Sequence, residues 1–128
     1  MSDPSLALQK ALYERLTADL SCAVFDAVPD GMPYPYVTLD REFSSNSTPI
    51  SGKDRQTRLF YLSVWSQYHG QAEVKRIMAE ISTALNEKRL PLESGLAVSV
   101  RVTRTEAIRE PDGKTYMGSV TLRIITQS

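Results

Sequence analysis

LFYLSVWSQYHGQAEVKRIMAEISTAL, residues 59–85, holds the switch between two kinds of periodicity. Leu59-Phe60-Tyr61-Leu62 and the residues up to Trp65 form a nearly unbroken apolar run, which reads as a strand over Thr57–Trp65 that must be covered on both faces. One cover is a helix; the other is something else in the fold or a partner chain. After His69-Gly70, apolar residues recur at Val74, Ile77, Met78, Ile81 and Leu85, while Glu73, Lys75, Arg76 and Glu80 fall on the opposite side. That spacing predicts an amphipathic helix over 71–87. Strand, glycine, helix is also the way many phosphate-binding and catalytic corners are built, so His69 needs a test.

The test is chemical. A general base needs a nucleophile or carboxylate beside it, and neither Ser63 nor Ser66 lies in a G-x-S-x-G elbow. A metal ligand needs partners, and the chain has one His and one Cys. Gly70 is a lone glycine without phosphate-loop spacing. The reading is a corner, with Gly70 allowing the turn. Glu110-Pro111-Asp112-Gly113-Lys114 likewise lacks most ligand positions of a calcium loop and reads as a turn built on Asp112 and Gly113. Asp26, Asp30, Asp40 and Glu42 show no spacing that selects a pair and read as solvated surface. No catalytic, metal or cofactor site is expected.

Outward from the corner, Leu8, Leu12, Leu16 and Leu20 recur every four residues and predict a first helix over 4–19, with Asp3 as cap and Pro4 in its first turn. A short strand over Ser21–Val28 and a proline-punctuated stretch lead to a strand at Tyr36–Arg41. From Glu42 to Gln56 the apolar pattern stops, and 42–57 is expected to be a mobile polar arm. Leu96, Val98, Val100 and Val102 alternate with Ala97, Ser99, Arg101 and Thr103. Tyr116, Gly118, Val120, Leu122 and Ile124 do the same with Met117, Ser119, Thr121 and Arg123. The two segments predict a terminal hairpin with one dry and one polar face. The whole is a single α+β domain, 1–128, with a largely antiparallel sheet packed against two helices.

Composition narrows function. The 128 residues carry 15 basic and 15 acidic side chains, so the phosphate-neutralising excess of a dedicated nucleic-acid binder is missing. The single Cys22 makes no internal disulfide, and no apolar run approaches the ~18 residues of a membrane span. A soluble chain made in the cytoplasm is expected. With no chemistry to assign, the double-sided strand and the long polar arm point to assembly.

Taken in order, YPYVTLD (34–40), the variable arm, LSVWSQYHGQAEVKRIMAEI (62–81), LPLE (90–93) and REPDGKTYMGSVTLRI (109–124) resemble the small phage tail-completion proteins. These include the tail terminators of long-tailed phages and gene-transfer particles. The likeness covers roughly residues 8 to 126, with Trp65, Gly70, the Asp112-Gly113 turn and Gly118 carrying most of it as structural positions. It departs in the serine-rich arm and in having no Gly after Leu39. The resemblance implies a homo-oligomeric ring, typically a hexamer, that caps the tail tube and stops its polymerisation. Its partners would be tube protein and a head-proximal connector, at the tail–head junction of a virion made in a bacterial host. Within that frame, Ser44, Ser45, Asn46, Ser47, Lys53, Asp54 and Arg55 of the arm are expected to dock on another ring. Arg101, Thr103, Thr121 and Arg123 are expected to face the channel or an adjacent subunit, where DNA passes without sequence-specific binding. Trp65 is expected to be buried, against the second helix or a neighbour. A head-closure or adaptor protein of the same neck, and a small nucleic-acid-binding accessory protein, are the alternatives.

Overall fold

The computed structural model describes residues 5–46, 55–68, 70–92 and 95–127. The chain runs α1 (Ser5–Asp19), β1 (Ala23–Phe25), β2 (Tyr36–Asn46), β3 (Arg55–Ser66), α2 (Ala72–Leu85), β4 (Leu90–Leu92), β5 (Gly95–Arg109), β6 (Tyr116–Gln127). One sheet has the order β1-β2-β3-β6-β5-β4, antiparallel throughout except for the short β1–β2 pair. This is the expected α+β architecture.

Both helices pack on one face of that sheet. Leu8, Leu12 and Leu16 of α1 and Val74, Ile77, Ile81 and Leu85 of α2 are fully buried. They meet Val37 and Leu39 of β2, Phe60, Leu62 and Val64 of β3, Val120, Leu122 and Ile124 of β6, and Ala97 and Val100 of β5. The period of two along each strand puts alternate residues into this single core. Gly70 precedes α2 with φ +81, a left-handed conformation that costs a non-glycine residue about 1–2 kcal/mol. Gly118 works differently: a Cβ there would lie 2.5 Å from Val74 Cγ1 and 2.9 Å from Met78 Sδ, so its missing side chain lets α2 sit directly on β6.

Several sequence expectations need correction. Residues 42–46 and 55–57 are not part of a loop. They extend β2 and β3 in register, from Glu42 opposite Phe60 to Asn46 opposite Gln56, and β6 continues alongside to Gln127. The polar side chains hid a strand whose stability comes from ladder hydrogen bonds and the neighbouring β6. The remainder of the expected arm, residues 47–54, lies outside the described residues, as do Asp3, Pro4 and His69. The strand expected over Ser21–Val28 shrinks to Ala23–Phe25, and β4 was not foreseen. Ala97, expected on the polar side, is fully buried, because the β5 register shifts between Ala97 and Ser99 and inverts the alternation there.

Arg58 belongs to the core side of β3 and is fully buried. Its guanidinium pairs with the Glu42 carboxylate, donates to the Gln56 side chain, and through Nε donates to Thr126 Oγ1 at 3.1 Å. The Ser5 hydroxyl donates to the same Glu42 carboxylate at 3.0 Å. This polar cluster closes the end of the core where the apolar supply of β2 runs out.

Candidate functional interface

Among the described residues, no helix lies on the opposite face of the sheet. Register places Tyr36, Trp65, Met117 and Ile108 in one row across β2, β3, β6 and β5. Thr38, Ser63, Ser119 and Glu106 form the next, then Arg41, Tyr61, Thr121 and Arg104, then Phe43, Leu59, Arg123 and Arg101. Phe43 is 63% exposed and Ile108 36%. Trp65 is therefore not packed on α2, which lies across the sheet from it. It is half-buried on the uncovered face, donating from Nε1 to Thr38 Oγ1 at 3.2 Å.

Four arginines sit on this face. Arg101 and Arg123 are direct cross-strand partners and Arg104 lies in the next row, opposite Thr121. Like charges so placed repel unless something negative intervenes. Arg101 reaches Glu87 at 3.4 Å and Arg104 reaches Glu106 at 2.9 Å, both pairs exposed and weakly stabilising. Arg41 stacks its guanidinium over the Tyr61 ring, 4.5 Å from the centroid. Arg123 is exposed. Thr103 falls in the second register shift of β5, between Val102 and Arg104, and its hydroxyl donates to the Thr121 carbonyl at 3.2 Å. The four residues that sequence alternation grouped, Arg101, Thr103, Thr121 and Arg123, are neighbours across β5 and β6. Alternation missed Arg41, Tyr61 and Phe43, which only the register across β2 and β3 aligns with them, and it named Arg104 only with Arg101, Arg109 and Arg123 as the hairpin arginines a nucleic-acid binder would use.

The expected docking residues divide. Ser44, Ser45, Asn46 and Arg55 are strand residues at the far end of the β2–β3 hairpin, with Arg55 Nε donating to Gln127 Oε1 at 3.0 Å. Ser47, Lys53 and Asp54 lie outside the described residues. At the β5–β6 turn, the Asp112 carboxylate accepts from the Thr115 hydroxyl at 2.7 Å and from the Thr115 and Lys114 amides at 2.8 Å each. These bonds, the Thr115 hydroxyl first, hold its carboxyl below the usual range. Gly113 adopts φ +73 and closes the turn by donating to the Glu110 carbonyl at 3.0 Å.

The other acidic residues go separate ways. Asp40 accepts from the Thr38 hydroxyl at 2.7 Å and from Ser63, while Glu42 serves Arg58. Among the described residues, no group of three His, Cys, Asp or Glu side chains is placed to hold a metal ion. Nor is any helix among them long and apolar enough to cross a membrane. Cys22 is half-buried beside α2; burial, then the Glu80 charge, pushes its thiol up to about 11. Arg76 and Ser21 gather on the Glu80 carboxylate and, with the Ser21 backbone amide leading, hold its carboxyl below the ordinary value.

Among the described residues, the uncovered sheet face is the candidate interaction surface. Among solved structures, a chain from the virion of a native gene transfer agent (GTA) particle is similar over 100% of both chains, with a TM-score of 0.89 and 27% identity. No curated protein matches. The family model of tail completion protein gp17 matches residues 10–127, and the chain accordingly belongs to that family of tail-associated structural proteins.

Proposed function

We propose that this chain is a tail terminator: copies close into a ring that caps the finished tail tube, ends addition of tube protein and presents a docking surface to the head connector. The observation that carries the reading is the bare sheet face. Phe43 and Ile108 stand exposed on its two long outer strands, where a further protein surface would cover them, and a heterologous contact whose rotation closes makes a ring. Family membership supplies the tail, and the likeness to a chain of the GTA virion supports a place in the particle itself. Six copies follow from the resemblance. A structural rather than catalytic role agrees with the family.

The arginine-bearing part of the face, with Arg101, Thr103, Thr121 and Arg123, is assigned to the central passage or its immediate rim. It would hold a phosphate backbone loosely without reading sequence. The β2–β3 hairpin end, from Ser44 through Ser47 and Lys53–Arg55, is assigned to contact with the adjoining ring.

Removing the chain from producing cells tests this. Electron micrographs should show tubes of irregular length and heads without tails; tails of normal length joined to heads would overturn the reading. In complemented particles, the double Arg101→Glu, Arg123→Glu variant should fold and incorporate yet lose DNA retention or delivery. Unchanged delivery would place that face away from the passage.

A further inference from the structure

The two long outer strands are each only half covered. β1 pairs with β2 at Tyr36–Thr38 alone, leaving the outer edge of Leu39–Asn46 without a backbone partner among the described residues. β4 pairs with β5 at Gly95–Ala97. The turn after α2 covers the next stretch, where Glu87 N donates to the Val100 carbonyl at 2.6 Å and Asn86 Oδ1 accepts from Val102 N at 2.9 Å. From Thr103 to Arg109 the outer edge of β5 is likewise without a backbone partner among the described residues. Two unpaired edges of nearly equal length, at opposite sides of one sheet, each offer a row of amides and carbonyls that template another strand.

We infer that the subunit-to-subunit contact is strand pairing between the Leu39–Asn46 edge of one copy and the Thr103–Arg109 edge of the next, which rests on the ring reading above and names its interface. Three features support it. First, β2 and β5 run in opposite directions within the sheet, so a copy rotated about an axis along the strands presents β5 to β2 antiparallel, the better-tolerated ladder.

Second, the free halves are diagonally offset. The middle of the β2 half, near Phe43, lies in the row of Arg123, and the middle of the β5 half, near Glu106, lies in the row of Ser119. Four residues along β6 separate these rows, about 13 Å at strand rise. One copy advances the sheet by four strand spacings, about 19 Å. Joining the free halves therefore tilts the strands by roughly 35°, within the range at which curved sheets close on themselves. The segments that block the edges, β1 and the 86–87 turn, are the ones such a stagger avoids.

Third, the faces match. Arg41 and Phe43 on β2 and Arg104, Glu106 and Ile108 on β5 all point to the uncovered face, so pairing extends that face without a break. The competing idea is that charges and register shifts near both edges exist to prevent such pairing.

Cysteine pairs decide. In a Cys22→Ala background, Phe43→Cys is combined in turn with Arg104→Cys, Glu106→Cys and Ile108→Cys. Within one chain these strands lie three spacings apart, about 14 Å, beyond the ~7 Å Cα limit of a disulfide. Any bond formed on mild oxidation therefore joins two copies. At least one pair should give a non-reducing gel ladder rising to the size of the native oligomer, with most of the protein crosslinked. Phe43→Cys combined with Tyr13→Cys on α1 should give none. Oligomers of native mass that crosslink through none of the three pairs would overturn the edge pairing and leave the ring reading standing. Protein that remains monomeric by mass photometry, alone and on tube ends, would overturn both.

Discussion

Replacing Glu42 with Ala removes the carboxylate from a guanidinium that has no solvent exposure. Removing one partner of a buried ion pair costs about 3–5 kcal/mol, because the remaining charge must stay desolvated. Two facts pull the figure toward the lower end. The Glu42 side chain keeps 16% exposure, so water can reach the vacated site, and Thr126 and Gln56 still accept from Arg58. About 3 kcal/mol is expected. With a urea dependence of about 1.5 kcal/mol per molar for a domain of this size, the midpoint should fall by about 2 M. Glu42→Gln keeps an acceptor and should lose less. The double Glu42→Leu, Arg58→Met variant removes the charge altogether and should recover most of the loss. Urea titrations followed by circular dichroism at low protein concentration measure all three. A Glu42→Ala midpoint within 0.5 M (about 0.75 kcal/mol) of the parent, or a double variant weaker than the single, would refute the buried-pair account.

Gly118→Val should destabilise by about 1–3 kcal/mol through overpacking on Val74 and Met78, read as a lowered melting temperature; an unchanged one would mean that α2 can retreat. The Asp112 and Glu80 carboxyls, both depressed in the folded state, stabilise it above the ordinary carboxylate range near pH 4 and lose that contribution as pH falls through their lowered values. Asp112→Asn should therefore narrow the gap in stability between pH 6 and pH 3, and an identical acid profile would contradict the assignment. Cys22, raised from 9.0 to about 11, should be alkylated at pH 8 about 100-fold more slowly in the folded chain than in urea; equal rates would mean that its burial is transient.

Both helices and the central strands were legible because their apolar spacing is local and one-sided: Leu8 to Leu20, Val74 to Leu85, Leu122 to Ile124. The ends of β2 and β3 were not. Ser44, Ser45 and Asn46 carry no apolar alternation, and their extended form depends on backbone pairing with residues ten or more positions away. Ala97 was misplaced because a one-residue shift in β5 reverses which side chains face inward, and nothing in the Val-rich pattern marks it. Arg58 drew no reading from the sequence, because its partner Glu42 lies sixteen residues earlier. Of the uncovered face, alternation grouped Arg101 with Arg123. It could not find Arg41 or Phe43, which share that surface only through strand register, and it left Trp65 between the second helix and a neighbouring subunit, of which register removes the helix.

The alternation along β3 and β6 has a consequence for how the chain can change over time. Neighbouring residues such as Val64 and Trp65, or Leu122 and Arg123, answer to different constraints: one to the helices, the other to whatever touches the bare surface. A substitution at the outward position of each couple barely disturbs the hydrophobic interior. The outward half of the sequence can drift, or be redesigned by mutating every second codon, while the inward half holds the architecture constant.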